Sequence, residues 1–367
     1  MTVRQKSFVA ARRRRCREQL AQQGLDALVV LNPPDVTYLT GFEGDDSVLV
    51  LTARRGVLVT DSRYVVQARR ECPRLPLRDR GGLSLAEAVA AVLAPLGGRR
   101  ALRVAIEADH VTVSQHRAYR RELGRGLRAI KPLLAPLRQC KDDGELRHLR
   151  QAVRIAQEAM TSVRRWVRPP LTERQMAARL EYEMSRRGST HAAFPTIVAF
   201  GAHAAEPHAV PGPACLRAGQ SVLFDWGATV SGYRSDLTRC YVSGRIRPAF
   251  ADAYRWVLEA QAAAIAEVKA GQTIAQVDVA ARKVLRRSGL PLYGHGTGHG
   301  LGLDVHEQPR INARNQDELR EGMVVTIEPA VYLPGRFGIR IEDDVLVGKR
   351  GAAVLSTLPK DLGAVAW

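Results

Sequence analysis

Residues 221–242 read SVLFDWGATVSGYRSDLTRCYV. Two apolar arms of β-forming residues flank a turn-forming centre, the pattern of an antiparallel hairpin. With the turn centred between Val230 and Ser231, Asp225 on the first arm stands directly opposite Asp236 on the second. Opposed residues on one face have Cβ atoms about 4.5–5.5 Å apart. Two ionised carboxylates at that spacing repel, and aspartate is a poor strand former. A shared cation removes the penalty. Residues 323–347, MVVTIEPAVYLPGRFGIRIEDDVLV, repeat the arrangement, with Glu328 and Glu342 symmetric about Gly335 in the turn LPGR. One acid on a strand is commonly a solvated edge group or an ion-pair partner. Two facing pairs on two apolar ribbons point instead to a site.

A third element lies between these ribbons. Residues 293–309 read YGHGTGHGLGLDVHEQP, with alternating glycines that let backbones approach closely. A dinucleotide-binding glycine loop is excluded by register: counted from Gly296 and Gly298, the third glycine would fall at 301, which is Leu. No Walker lysine follows. His299 in this segment therefore reads as a ligand beside the acidic strands. Four carboxylates and one imidazole suit Mn²⁺, Co²⁺ or Zn²⁺ and differ from the Cys/His sets of structural zinc. Bridging carboxylates favour two ions about 3.5–4 Å apart, which activate a water as hydroxide and polarise a carbonyl. That chemistry is hydrolysis of an acyl bond.

Outward from the site, two regions differ in pattern. LDALVVL at 25–31 reads as a buried strand stopped by NPPD, and SVLVLTARRGVLVTDSR at 47–63 reads as two strands around Arg54-Arg55-Gly56. Helical patterns at 83–96 and 111–123 enclose a further strand, RVAIEA. This is an α/β arrangement. Prolines at 132 and 136 then interrupt periodicity, which places a boundary at 138/139 and defines domains 1–138 and 139–367. Lys141-Asp142-Asp143-Gly144 opens a long amphipathic helix carrying Leu146, Leu149, Val153, Ala156 and Met160. Helices from the N-cap Thr172 to about Arg187, over 248–269, and from Thr273 to Gly289 alternate with hairpins at 221–242, 323–333 and 337–347. The second domain is α+β.

Composition sets the outer limits. The 367 residues are 46% hydrophobic and 25% charged, enough for two cores and unlike a disordered chain. The formal charge of +18 divides as +12 over residues 1–140 and +6 over the rest. Only 7 of the 55 basic residues are lysine, so an arginine-rich genome accounts for the excess. No zinc-finger, RRM or KH signature supports nucleic-acid binding. The run Arg12–Arg15 reads as the solvated face of a helix. The five cysteines form no C-x-x-C pair and are odd in number, which fits reduced thiols in a cytoplasm. No apolar stretch is long enough to span a membrane, and residues 1–20 are too polar for a signal peptide.

At the motifs quoted above the chain resembles the creatinase/aminopeptidase P/prolidase branch of the pita-bread metallopeptidases. The opening RRRRCREQLAQQGLDALVVLNPPDVTYLTGF resembles that branch's N-terminal domain, and FPTIVAFGAHAAEPHAVPG, the Asp hairpin, the glycine-rich segment and the Glu hairpin follow in the family's order. The resemblance implies an α+β pita-bread catalytic domain preceded by a smaller α/β creatinase-like domain. It also implies metal-dependent hydrolysis of an Xaa–Pro bond in dipeptides or at peptide N-termini. By motif, Asp225 ligates one ion, Asp236 and Glu342 bridge two, and His299 and Glu328 complete the second position. Glu328 would also take the proton of the attacking water. His208 would stabilise the tetrahedral intermediate, and His306 would contact the scissile amide and assist proton transfer. Arg340 would support the site, and Arg310 is a candidate to bind a substrate carboxylate. Mn²⁺ is the implied metal ahead of Co²⁺ or Zn²⁺, and a cytoplasmic homodimer is the implied assembly.

Three other readings use the same fold. A methionine-type aminopeptidase shares the five ligands but lacks a full N-terminal domain, which the first 135 residues here supply. A creatinase-like amidinohydrolase goes with loss of the metal carboxylates. A metal-free interaction module would suit the basic N-terminal region, yet every ligand position is filled, and four facing carboxylates are costly without cations.

Overall fold

Apolar runs four or five residues long, separated by turns, dictate the start of the chain. In a computed structural model, which describes residues 3–97, 101–167 and 170–366, with side chains from Phe8 onward, they form the sheet of the first unit. The chain divides into two compact units, residues 1–138 and 139–367.

In the first unit the elements are α1 (Val3–Gln22), β1 (Ala27–Val30), α2 (Pro33–Thr40), β2 (Val48–Thr52), β3 (Gly56–Thr60), α3 (Val65–Glu71), β4 (Leu77–Asp79), α4 (Leu85–Leu93), β5 (Val104–Glu107), α5 (Val113–Leu123), β6 (Leu127–Ile130) and α6 (Leu134–Gln139). The strands form one sheet in the order β4-β3-β2-β1-β5-β6, with β1 antiparallel to β2 and parallel to β5. Every residue of β1, β2, β3 and β5 is buried, as uninterrupted apolar runs require.

One reading of this unit is extended and one is corrected. NPPD does stop β1, but it also opens α2, because proline lacks only an N–H that a first helical turn leaves unbonded. The run Arg12–Arg15 lies inside α1, and its face is not simply solvated. Arg12 is buried, donates to Tyr38 O at 3.2 Å and lies 4.9 Å over the Tyr38 ring. Arg13 donates to Leu39 O at 2.8 Å, and Arg17 to Thr52 O at 2.9 Å. Arg12 and Arg13 thus bond carbonyls in the last turn of α2, groups that a helix end leaves short of partners.

The second unit contains α7 (Asp143–Trp166), α8 (Glu173–Arg186), β7 (Ile197–Phe200), β8 (Ser221–Trp226), β9 (Thr229–Val230), β10 (Tyr233–Arg234), β11 (Leu237–Val242), α9 (Pro248–Ala266), α10 (Ile274–Arg287), β12 (Gly298–Gly300), β13 (Glu307–Ile311), β14 (Val324–Ile327), β15 (Ala330–Leu333), β16 (Phe337–Arg340), β17 (Asp343–Val347) and β18 (Ala352–Val354). Asp142 and Thr172 each cap their helix through a capping box, which stabilises each end by about 1 kcal/mol. A three-stranded sheet, β11-β8-β7, is backed by α7 and α8 through Ile155, Met160, Leu180 and Phe224. Trp226 on β8 is fully buried and donates its indole N–H to Ala156 O at 3.0 Å. A five-stranded sheet, β13-β12-β14-β17-β18, shares a core with α9 and α10. One isolated bridge, Thr238↔Glu342, joins the two sheets.

The two hairpins differ in how they match their reading. β9 and β10 pair Val230 with Tyr233, so the turn is Ser231-Gly232, with φ of 50° and 78°. Two successive positive φ values make a type I′ turn, whose twist suits a two-residue hairpin. The centre therefore moves by one residue, and Asp225 faces Thr238 instead of Asp236. A shift of two positions in pairing keeps both aspartates on one face, as diagonal neighbours. The second hairpin is centred as read. Ala330 pairs with Arg340 and Ile327 with Asp343, while Gly335 takes φ 73°. Glu328 and Glu342 lie opposite one another between these two ladders.

Candidate metal centre

Five acidic or imidazole side chains reach one cavity of about 600 Å³ from separate elements: Asp225 on β8, Asp236 just before β11, His299 on β12, Glu328 just after β14 and Glu342 just before β17. His208, His306, Arg310 and Arg340 line the same cavity, so all nine residues singled out in the sequence lie around it. His299 can sit so deep because of its neighbours. A Cβ on Gly298 would stand 1.8 Å from Thr326 O, and one on Gly300 2.2 Å from Gln308 O. Only glycine permits β12 to pack this tightly between β13 and β14.

The geometry is one of acceptors facing acceptors. His299 Nε2 lies 3.6 Å from Asp236 Oδ2 and 3.5 Å from Glu328 Oε1. Asp236, His299 and Glu342 each offer one ligand atom, all within 4.8 Å of one another. His299 Nδ1 is 3.1 Å from Gly300 O. A proton on Nδ1 makes that contact a hydrogen bond and leaves a lone pair on Nε2 toward the carboxylates. Asp225 Oδ1 is buried without a hydrogen-bond partner. The one ion pair at these carboxylates among the described residues, apart from contacts to imidazoles, is Arg340 Nη2 to Asp225 Oδ2 at 2.5 Å.

Electrostatics follow from that crowding. Burial, then Glu342, Asp225, Asp344 and Glu328, hold the Asp236 carboxyl well above its ordinary value. Burial, then Glu328 and Asp225, do the same to Glu342, partly offset by Arg340 and Thr238. Glu328 is raised to about 7, mainly by burial. Burial and then His306 push His299 down to about 3, so its imidazole is neutral. A buried orphan oxygen, a neutral imidazole and carboxylates that resist ionising together are a donor set that divalent cations would complete. A second cluster, Asp35, Glu107 and His110 in the first unit, is as close-set but already compensated. Arg138 donates to Asp35 at 2.8 Å, and Glu107 Oε1 accepts the N–H groups of Leu133 and Leu134 at 2.5 and 2.8 Å.

Several supporting residues escaped the sequence reading. Thr238 donates to Glu342 Oε2 at 2.6 Å and accepts from Arg340 Nε at 3.1 Å. Tyr332 Oη accepts from Arg340 Nη1 at 2.7 Å and lies 3.1 Å from His295 Nε2. Thr326 Oγ1 accepts the His299 N–H at 3.1 Å, and Asp344 Oδ2 accepts the Asp236 N–H at 3.2 Å. The correct turn centre at 231–232 would have exposed Thr238, since it falls opposite Asp225. Behind the site, Asp343 binds Arg239 at 2.6 Å, Ser356 at 2.6 Å and Gln261 at 3.1 Å, and it pairs with Lys360. His306 is not paired with its neighbour Glu307, whose carboxylate lies 3.2 Å from Lys141 Nζ.

Comparison with known proteins agrees with this architecture. The model of metallopeptidase family M24 matches residues 147–349, and that of the creatinase/prolidase N-terminal domain matches residues 12–140. An uncharacterised peptidase of Bacillus subtilis is 32% identical over 348 residues, covering 94% of this chain and 98% of that protein. The chain belongs to metallopeptidase family M24, and it is a metallopeptidase in which a creatinase-like N-terminal domain precedes a pita-bread catalytic domain. Within that family it is similar to the solved Xaa-Pro dipeptidase from Bacillus anthracis, at 32% identity and a TM-score of 0.92 over 98% of this chain and 100% of that one. It is similar also to the X-Pro aminopeptidase from Thermotoga maritima, at 34% identity and a TM-score of 0.87 over 94% and 99%. No helix among the described residues is long and apolar enough to cross a membrane, and all five cysteines are free thiols.

Proposed function

We propose that the chain is an Xaa–Pro dipeptidase that works with two divalent ions held by Asp225, Asp236, His299, Glu328 and Glu342. The observation that carries this reading is the set of buried acceptors facing one another with too few cations among them. Its oxygen-rich composition favours Mn²⁺, with Co²⁺ or Zn²⁺ as substitutes. When bound, such ions supply a water nucleophile at neutral pH and polarise the scissile carbonyl.

The remaining steps belong to the protein. Glu328, on the cavity wall beside the other proposed ligands, can take the proton that the attacking water loses and return it to the leaving proline nitrogen. His208 and His306 line the cavity where the oxyanion and the scissile amide would lie. Burial and then Arg310 hold the His306 imidazole below its ordinary value, which favours its neutral form. Arg340 restrains Asp225 and Tyr332. A proline after the scissile bond removes the amide N–H, so recognition must rest on ring shape and a trans bond. The apolar wall of Phe194, Ile197, Val210 and Tyr332 supports that demand.

Arg310 favours a dipeptide over a longer chain. It is the cross-strand neighbour of His299, lines the cavity, and forms no ion pair with a described carboxylate. A free C-terminal carboxylate on the proline would pair with it. The test is hydrolysis of Xaa–Pro, Xaa–Pro–Yaa and Xaa–Ala by protein loaded with Mn²⁺, Co²⁺ or Zn²⁺. Xaa–Pro should be the preferred substrate, and Arg310→Ala should raise its KM while the metals stay bound. Preference for Xaa–Pro–Yaa would make the enzyme an aminopeptidase, and failure to cleave either proline substrate with every metal would end the proposal.

A further inference from the structure

We propose that Glu173 is a positioning residue: its buried carboxylate fastens both ends of the loop 200–212, which presents His208 to the cavity. The inference rests on the role given to His208 above. His208 is exposed and makes no hydrogen bond to another described residue, so its placement comes from the loop backbone rather than from its own contacts. That backbone converges on Glu173. Oε1 accepts the Phe200 N–H at 2.8 Å, where β7 ends and the loop begins. Oε2 accepts the Gly212 N–H at 2.7 Å, where the loop ends. Between them His203 Nδ1 sits 2.8 and 3.0 Å from the two oxygens.

The clamp is built for a carboxylate at this point. Glu173 is 1% exposed and stands in the first turn of α8, where the helix dipole favours negative charge. A Cβ on Gly212 would approach Oε2 to 3.2 Å, so a glycine there lets the carboxylate close on the backbone. The loop is also held from the opposite side. Pro207 O accepts from Arg340 Nη1 at 3.4 Å, and Ala204 O packs so closely on Gly338 that a Cβ there would lie 1.7 Å from it. Glu173 does not line the cavity and touches none of the five proposed ligands. Its effect on the reaction must pass through the loop.

The test compares Glu173→Ala, Glu173→Gln, His208→Ala and the Glu173→Ala/His208→Ala double variant with the wild-type full chain loaded with Mn²⁺. Three quantities are read: bound metal, kcat and KM for an Xaa–Pro dipeptide, and backbone hydrogen exchange. Glu173→Ala should speed exchange across 200–212 while leaving β8, β14 and the metal content as in wild type. Its kcat should fall ~10- to 100-fold, the scale of an ångström-sized misplacement. Glu173→Gln, which keeps one acceptor oxygen, should lie between and serves if the alanine variant does not fold. Adding Glu173→Ala to His208→Ala should cost no further activity. Unchanged exchange across 200–212, or losses that multiply in the double variant, would overturn the proposal. A wild-type protein that ignores Xaa–Pro substrates would remove the functional reading, while the exchange comparison would still decide the clamp.

Discussion

Replacing Thr238 with valine should weaken metal binding about 10- to 100-fold while leaving the fold standing. The side chain is fully buried on β11 and valine matches its shape, so packing and the pairing with Asp225 persist. What is lost is one hydroxyl with two tasks. It donates to Glu342 Oε2 at 2.6 Å and accepts from Arg340 Nε at 3.1 Å. A hydrogen bond to a charged group is worth about 1.5–3 kcal/mol, and 1.4 kcal/mol is tenfold in an equilibrium constant. The cost falls on the metal-bound state above all, because without metal Glu342 is held well above its ordinary value by burial and by Glu328 and can stay neutral. Ionising it to receive a cation is where the missing donor counts. Titration with Mn²⁺ against a competing chelator measures the change directly, and thermal unfolding of the metal-free protein measures the control. A metal affinity within twofold of wild type would refute the reasoning, and so would a loss of equal size in metal-free stability.

Metal binding should depend on pH in a stated direction. Raised carboxyl groups hold protons that a cation must displace, so affinity falls as pH drops through the value of about 7 for Glu328. By the same linkage, the contribution of Glu328 to metal-free stability is full below its unfolded value near 4.5 and is lost as pH rises through about 7. The gap in melting temperature between loaded and chelator-treated protein should therefore widen from pH 5 to pH 8, and a constant gap would contradict the assignment. Gly298→Ala would set a Cβ 1.8 Å from Thr326 O, so β12 must part from β14 and carry His299 with it. Loss of bound metal with a lowered melting temperature is expected, and full metal occupancy would count against the packing argument. Among the thiols, Cys215 is exposed, whereas burial raises Cys16 and Cys240 to about 12 and Cys72 to about 11. Alkylation of the native protein at pH 8, followed by mass spectrometry, should label Cys215 first, and Cys16, Cys72 and Cys240 only after unfolding.

The readings that held and those that moved differ for physical reasons. The hairpin around Gly335 was legible because proline followed by glycine signals a turn with a positive φ at a defined place. The hairpin at 231–232 was displaced by one residue because Ser231 adopts φ 50°, a conformation serine seldom takes and so does not announce. The alternation of side chains protected the functional conclusion, since a two-position error in pairing returns the same face. The arginine run misled because charge patterning describes a helix in isolation, while Arg12 and Arg13 are spent on carbonyls of α2. Thr238, Tyr332 and Thr326 were invisible as site residues because their roles arise from partners distant in the chain. The acidic ligand candidates stood out because carboxylates on apolar strands conflict with their surroundings.

The proposed ligands divide between two sheets that meet at the Thr238↔Glu342 bridge, so catalysis by them would be an all-or-nothing reporter of assembly. Neither sheet alone carries enough donors, so an intermediate with just one of them formed would be silent in a peptidase assay. Trp226, buried on the strand that bears Asp225, supplies an optical probe of the first half in a variant whose other three tryptophans are replaced by phenylalanine. In a refolding experiment, fluorescence recovery should lead the return of activity, and the delay would time the closing of that seam.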